Sequence, residues 1–252
     1  MDNHPDRVLL ITGGGRGIGA ATAQLAARRG YAVAVNYRRN DEAAAAVVAG
    51  IEKNGGRAVA IKADIAEESE VLRLFAELDR KLGTITALVN NAGIVERQTR
   101  LEGIDQSRLQ RMFATNVLGS FLCAREAVKR MSTRNGGKGG AIVNLSSVAA
   151  RTGSPGEYVD YAATKGAIDT FTLGLGREVA AEGIRVNAVR SGMTYTDIHA
   201  DGGEPGRVDR LAHRLPIQRG AQPEEIAQSI LWLLSEEASY LTASLVDVAG
   251  GL

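Results

Sequence analysis

The chain is poor in the residues that most often anchor specialised chemistry. Cys123 is the only cysteine among 252 residues. No internal disulfide can form, which suits a reducing compartment. Cys123 lies in the apolar run VLGSFLCAREAV, where a buried, inert thiol is expected. His4, His199 and His213 are scattered along the chain. None has metal-ligand spacing, so no metal site is expected. Aromatics make up 4%, which leaves the core to Ala, Val, Leu and Ile. Neither sign of charge prevails, with 30 Lys and Arg against 29 Asp and Glu. That balance gives no electrostatic case for nucleic acid or a membrane surface. No apolar stretch reaches the ~18 residues that span a bilayer. The opening MDNHPDR is polar and partly acidic, unlike a signal peptide. The expectation is a cytoplasmic protein acting on a small molecule.

What the chain does have is alternation. Strands are predicted over 7–12, 31–37, 57–64, 85–91, 140–147, 184–190 and 243–250. Several are apolar on successive residues, as in parallel strands covered on both faces. Helices are predicted over 17–29, 41–54, 67–82, 105–133, 156–182 and 223–235. Such alternation implies right-handed βαβ units. The fold class is therefore α/β, a doubly wound, seven-stranded parallel sheet with helices on both faces. The five prolines are spread thinly and no linker interrupts the pattern, so 1–252 reads as a single domain. The stretch 192–221 is non-periodic and rich in Gly and polar residues. It reads as a lid over a site, with a surface insertion as the alternative.

The first strand runs into TGGGRGIG (12–19) and then a helix. Glycines allow a tight turn and let backbone N–H groups approach a pyrophosphate, while the helix N-terminus adds partial positive charge. Gly13, Gly17 and Gly19 follow G-x-x-x-G-x-G, and the Lys-Ser/Thr ending of a nucleoside-triphosphate loop is missing. The second strand ends in Asn36, Tyr37, Arg38 and Arg39, where NAD-binding folds place a carboxylate for the ribose 2′-hydroxyl. Arg38, with Arg16 nearby, matches the geometry of a 2′-phosphate. NADP(H) is expected to be preferred, with NAD(H) as the other cofactor. Solvated surface charge is the alternative account of these arginines. Asp64 ends the third strand, placed either to accept from an adenine amino group or to cap a helix.

Tyr161 and Lys165 stand four residues apart in YAATK, on one face of a predicted helix. A phenol titrates near ~10, so it is a poor base at neutral pH. A neighbouring cation favours phenolate; moving the value to about 7 takes roughly 4 kcal/mol. Taken alone, the pair is equally a packed tyrosine near a surface lysine. Tyr158, three residues earlier, has Ala162 one turn later instead of a lysine.

Together, TGGGRGIG (12–19), NNAG (90–93), Asn116 in TNVLGSF, NLSS (144–147), YAATK (161–165) and RVNAVRSG (185–192) with Thr196 beyond resemble the classical short-chain dehydrogenase/reductase family. The resemblance covers about 7–252. SPGEYVDYAATKGAID and HADGGEPGRVDR are most similar to bacterial members described as glucose-1-dehydrogenase-like. The resemblance implies that Tyr161 is the general acid/base. It implies that Lys165 holds the nicotinamide ribose and depresses the tyrosine, that Ser147 bonds the reacting oxygen, and that Asn116 anchors a proton-relay water. By the resemblance, the second serine of NLSS is the one that aligns; Ser146 and Ser147 point to opposite faces of a strand, so only one can serve. It further places the cofactor against Thr12, Gly13, Gly15, Arg16, Gly17, Ile18 and Gly19 of the bend. Asn36, Tyr37, Arg38, Asp64 and Ile65 follow at the adenosine end. Asn91, Ala92, Gly93, Tyr161, Lys165, Gly192, Thr194 and Thr196 follow at the nicotinamide end. Two departures stand out. Ser191-Gly192 replaces the family's Pro-Gly, and the stretch from Ser147 to Tyr161 is one residue longer than its commonest spacing. The implied activity is interconversion of a secondary alcohol and a ketone, on a sugar or other hydroxylated carbonyl compound. A 3-oxoacyl thioester reductase and a non-catalytic dinucleotide-binding regulator are the alternatives. A homotetramer is the family's usual assembly.

Overall fold

Val8, Leu9, Leu10 and Ile11 are all buried in the first strand of the computed structural model, which describes residues 7–252. Residues 1–6, with most of the leading polar segment and His4, lie outside it. The strands are β1 (Val8–Ile11), β2 (Ala32–Tyr37), β3 (Ala58–Lys62), β4 (Ala87–Asn90), β5 (Gly140–Ser147), β6 (Ile184–Ser191) and β7 (Ser244–Val248). They form one sheet in the order β3-β2-β1-β4-β5-β6-β7, parallel at every pairing. The chain winds outward from β1 to β3, then returns to pair β4 with β1. A crevice therefore opens beyond the C-terminal ends of β1 and β4, where doubly wound sheets bind ligands.

The helices are α1 (Gly17–Arg28), α2 (Asp41–Lys53), α3 (Glu68–Lys81), α4 (Gln106–Phe113), α5 (Gly119–Met131), α6 (Ala149–Thr152), α7 (Val159–Glu178), α8 (Ile198–Asp201), α9 (Arg207–Ala212) and α10 (Pro223–Leu234). Alternation along each strand sends side chains to opposite faces. Leu9 and Ile11 join Ala23 and Ala26 of α1, Val47 and Ile51 of α2, and Ile226 and Ile230 of α10 in one apolar layer. Val8 and Leu10 join Leu74, Phe75 and Leu78 of α3 and Leu122, Cys123 and Met131 of α5 in the other. Each such Leu or Ile, fully buried, contributes roughly 1.5–3 kcal/mol. With both faces covered, an unbroken apolar run is what a strand needs.

The predicted helix over 105–133 is interrupted. Asp105 caps α4 by accepting from the Arg108 N–H at 2.7 Å. Ala114–Leu118 then widens into a π-helical segment before α5 resumes. The cause sits at its centre. The Asn116 Oδ1 accepts from the Ile94 N–H at 2.8 Å, and its Nδ2 donates to the Ile94 carbonyl at 3.0 Å. Wide turns of this kind commonly mark functional sites. The helix predicted over 156–182 begins at Val159 as α7 and ends at Glu178.

The stretch 192–221 folds back on itself. Ala221 donates to the Met193 carbonyl at 2.8 Å, and Tyr195 donates to the Ala221 carbonyl at 2.9 Å. The short helices α8 and α9 lie between these pinned ends.

Candidate active site

The glycine bend is held from two sides. Asn91, just past β4, donates from Nδ2 to the carbonyls of Thr12 and Gly13 at 2.8 and 3.0 Å. The Thr12 hydroxyl accepts from the N–H groups of Asn91 and Ala92, both at 3.0 Å. Asn36, buried at the end of β2, accepts from the Gly13 N–H at 3.3 Å and donates to the Ile61 and Ala63 carbonyls. Its side chain thus braces the bend and the β2–β3 edge. Gly13 and Gly17 adopt left-handed φ of 62° and 52°, conformations that favour glycine. A Cβ on Gly19 would lie 2.5 Å from the Gly13 carbonyl oxygen, so only glycine lets α1 start so close to the bend. No side chain caps α1, which leaves its first-turn N–H groups turned toward an anionic guest. This backbone-lined cradle fits a dinucleotide pyrophosphate.

Beyond the ends of β4 and β5, the four expected catalytic side chains converge. A Cβ built on Gly93 would stand 3.5 Å from the Asn116 Oδ1 and 3.7 Å from the Lys165 Nζ. Lys165 is buried and donates to the Leu145 carbonyl at 2.7 Å. Its ammonium lies 5.5 Å from the Tyr161 ring centroid. Ser147, the last residue of β5, accepts from the Ala149 N–H at 3.1 Å and shares a hydrogen bond with the Tyr161 hydroxyl. The Asn116 Nδ2 also donates to the Thr164 hydroxyl at 3.2 Å, which ties the π segment to α7.

Burial governs the charges here. It pushes the Tyr161 phenol up to about 12, with the Ser147 hydrogen bond pulling the other way. It pulls the Lys165 ammonium down to about 8, with the negative charge of Asp169 opposing. The sequence led to a phenol lowered toward 7 by Lys165. In the structure desolvation prevails and moves the phenol upward, because the lysine points to a backbone carbonyl instead of the phenolic oxygen.

The remaining expected residues spread around the same crevice. Arg38 pairs with Asp64 at 2.8 Å. Asp64 also accepts from the Ala66 N–H at 3.1 Å, and Ile65 is buried beside it. Arg16 pairs with Asp201 of α8, joining the bend to the 192–221 stretch. The Thr196 methyl would lie 3.2 Å from a Cβ on Gly17. Thr194 is buried, and its carbonyl lies 3.0 Å from the His199 Nε2. Gly192 meets β7 so closely that a Cβ would be 2.7 Å from the Ala249 Cα. Gly15 and Ile18 belong to the bend and the start of α1, and Tyr37 ends β2 with a hydrogen bond to Asp41. Among the described residues, no group of three or more His, Cys, Asp or Glu is placed to hold a metal ion. No helix among them is long and apolar enough to cross a membrane.

Sequence reasoning missed one buried ion pair and one that is half-buried. Arg108 of α4 donates to Asp160 from Nε at 2.6 Å and from Nη2 at 3.2 Å, and from Nη1 to the Arg97 carbonyl at 2.6 Å. Asp160 also accepts from the N–H of Tyr161 at 2.9 Å. Asp169 pairs with Arg190 of β6 at 2.9 Å. The only trace in the sequence is position. Asp160 directly precedes the tyrosine, and Asp169 falls one helical turn past the lysine.

Comparison with known proteins places this geometry. The sequence profile described as Enoyl-(Acyl carrier protein) reductase matches residues 13–252. An uncharacterized oxidoreductase of Escherichia coli (strain K12), YgfF, is 59% identical over 244 residues, covering 97% of this chain and 99% of its own length. The 3-oxoacyl-[acyl-carrier-protein] reductase of Synechocystis sp. is 39% identical over 247 residues, covering 98% of this chain and 96% of its own. A short chain dehydrogenase from Burkholderia cenocepacia J2315, solved in complex with NADP, superposes with a TM-score of 0.90 at 31% identity, over 100% of this chain and 99% of that one. A short-chain dehydrogenase/reductase from Serratia marcescens BCRC 10948 gives a TM-score of 0.90 at 32% identity, over 98% and 99%. Similarity that runs through both the glycine bend and the tyrosine–lysine turn leaves one conclusion: the chain belongs to the short-chain dehydrogenase/reductase family of oxidoreductases.

Proposed function

We propose that the chain interconverts a secondary alcohol and a ketone with NADP(H), using Tyr161 as the general acid/base. The observation that carries this reading is that Asn116 and Lys165 meet at Gly93, while Tyr161 lies beside Lys165 and hydrogen-bonds Ser147, next to the backbone cradle at the start of α1. When bound, the dinucleotide supplies or accepts hydride. The chain's own residues orient the carbonyl and move the proton. The Ser147 hydroxyl bonds the carbonyl oxygen, and the Tyr161 hydroxyl donates its proton to it. A phenol held near 12 is protonated at neutral pH, the state a donor needs. The reverse direction requires phenolate; the Ser147 hydrogen bond favours it, and the ammonium of Lys165, 5.5 Å from the ring centroid, is a second means of stabilising it. Asn116 holds the π segment against Ile94 and Thr164, with its own Oδ1 beside Gly93.

The preference for NADP(H) is supported by Arg38 and Arg16 on the rim of the bend, each held by a carboxylate partner. The Burkholderia neighbour in complex with NADP supports it too. Replacing Arg38 with Ala should raise KM for NADPH far more than for NADH; equal effects refute the assignment. The stretch 192–221 serves as a lid. Gly202 of that stretch approaches the Tyr158 hydroxyl, where a Cβ would lie 3.0 Å away, and Val95, at 3.3 Å. Arg207 stacks over the Tyr158 ring at 5.1 Å. This polar wall suits a small hydroxylated carbonyl compound. A 3-oxoacyl thioester is the second reading, favoured by the Synechocystis relative. A homotetramer in the cytoplasm completes the proposal.

The deciding experiment is NADPH oxidation with aldoses, hydroxyketones, cyclic ketones and 3-oxoacyl thioesters, repeated with Tyr161→Phe. General acid catalysis contributes ~10²–10⁴-fold, so the variant should lose at least that while still binding NADPH. Turnover close to wild type in Tyr161→Phe overturns the role of the tyrosine. Tight NADPH binding with no turnover on any carbonyl would leave a dinucleotide-binding regulator instead.

A further inference from the structure

Behind Lys165 runs a row of charges that the proposed chemistry does not use. Asp169 lies one turn beyond Lys165 on α7 and is buried. Its Oδ1 accepts from the Ser146 hydroxyl at 2.6 Å, and its Oδ2 accepts from the Arg190 Nε at 2.9 Å. The Ser146 oxygen is also 3.3 Å from the Lys165 carbonyl. Arg190 reaches onward to Asp247 of β7 at 3.4 Å. Arg151 of α6 pairs with the same Asp247 from the other side. The Ser146 hydroxyl and the Arg190 guanidinium thus fix Asp169 in one place, on the same helical face as the lysine.

The other charges near Lys165 are already matched. On α7, Asp160 is neutralised by Arg108 of α4, and Tyr161 is a neutral phenol. β5 presents the Leu145 carbonyl and the Ser146 hydroxyl, neither charged. After β4, Glu96 is bonded to Arg111. From β6, β7 and α6 come Arg190, Asp247 and Arg151, all in the row itself. Asp169 is paired too, with Arg190, but it lies one helical turn from Lys165 and its charge is the one that opposes the desolvation of the ammonium.

We propose that Asp169, clamped by Ser146 and Arg190, is a positioning residue that fixes the charge on Lys165, with Arg190 and Asp247 setting how strongly it acts. Removing the carboxylate should make Lys165 lose its proton at lower pH. Removing the guanidinium should have the opposite effect, because an unmatched Asp169 holds the ammonium more firmly. Removing Asp247 should shift Lys165 downward by less than removing Asp169, because Arg190 then turns fully on Asp169. Opposite signs from two partners of one ion pair are not what a merely structural bridge produces.

This inference rests on the reading of Lys165 as part of the reacting site, so the test has a readout that needs no turnover. The full chain is labelled with ¹³C at lysine Cε and titrated by NMR; the Lys165 signal is the one absent from Lys165→Arg. Wild type should show a midpoint near 8. Asp169→Asn should lower it by about one unit, Arg190→Gln should raise it, and Arg190→Lys should return it toward wild type. Thermal melts verify that each variant folds. If Asp169→Asn does not fold, Arg190→Gln and Asp247→Asn, expected to shift in opposite directions, decide the matter. Midpoints that stay put, or move the same way in those variants, overturn the proposal. The alkaline limb of carbonyl reduction is then compared with the NMR midpoints. A limb that ignores midpoints of the expected sign refutes the role given to Lys165 in the reaction but leaves the charge control standing.

Discussion

Asp160 is the residue whose replacement should reveal most about what holds Tyr161 in place. Its carboxylate and the Arg108 guanidinium are 1% and 8% exposed. They meet through two hydrogen bonds, at 2.6 and 3.2 Å. Asp160→Leu leaves the guanidinium buried with only the Arg97 carbonyl for company. Breaking such a pair from one side costs ~3–5 kcal/mol. Domains are stable by ~5–15 kcal/mol, so a large share is lost. At roughly 2–4 °C per kcal/mol for a chain of this size, the melting temperature should fall by about 6–20 °C. The double variant Arg108→Met/Asp160→Leu removes both charges, and an apolar pair of similar volume is often neutral or stabilising. Its residual deficit should be about 1 kcal/mol, for the Tyr161 N–H that loses its acceptor. Chemical denaturation followed by circular dichroism measures all three proteins. If Asp160→Leu costs less than ~1 kcal/mol, or the double variant is as unstable as the single, desolvation of Arg108 is not the controlling term. Because Tyr161 sits in the first turn of α7, carbonyl reduction should stay impaired even where stability returns.

Other consequences are testable with simple means. Gly19→Ala forces a methyl to 2.5 Å from the Gly13 carbonyl and 2.6 Å from the Asn91 Nδ2; NADPH affinity by fluorescence should drop at least tenfold, and an unchanged Kd would show that the bend can relax. Glu204 bonds Arg210, Arg207 and Gln98, and these partners hold its carboxyl down to about 2 from the usual 4.5. A depressed carboxyl adds stability above its unfolded value and loses it as pH falls from about 4.5 toward 2, so pepsin should cut within 198–212 increasingly across that window; cleavage that does not change there contradicts the anchoring. Burial pushes the Cys123 thiol up to about 12, so a maleimide should leave the native protein unmodified near pH 8 and label it once urea unfolds it. Rapid native labelling would place that thiol outside the core.

The sheet was legible because its strands are apolar on both faces. The expected bounds of β5, 140–147, coincide with those observed; β6 runs one residue past its expected end, to Ser191, and the other strands are a little shorter than their apolar runs. The glycine bend was legible from spacing, and Tyr161 with Lys165 from one helical turn. The π segment was not, since ATNVL (114–118) has the composition of ordinary helix and its cause, Asn116 bonding Ile94, lies in tertiary contact. The Arg108–Asp160 pair joins residues 52 positions apart, and nothing local distinguishes either from a surface charge. The direction of the tyrosine shift escaped for a related reason. Helical spacing puts Lys165 on the right face but does not say which oxygen its Nζ will choose, and it chose the Leu145 carbonyl.

The grip of Asn91 on the Thr12 carbonyl spans 79 positions of chain. A nascent polypeptide on the ribosome can close its first two crossovers and still have a bend braced only from the Asn36 side. Only after β4 and Asn91 have emerged and docked beside β1 does that bend acquire its working shape. Nucleotide capture is therefore a late event in biogenesis, and a fragment that stops short of residue 91 should be blind to the cofactor however well its own half of the sheet has formed.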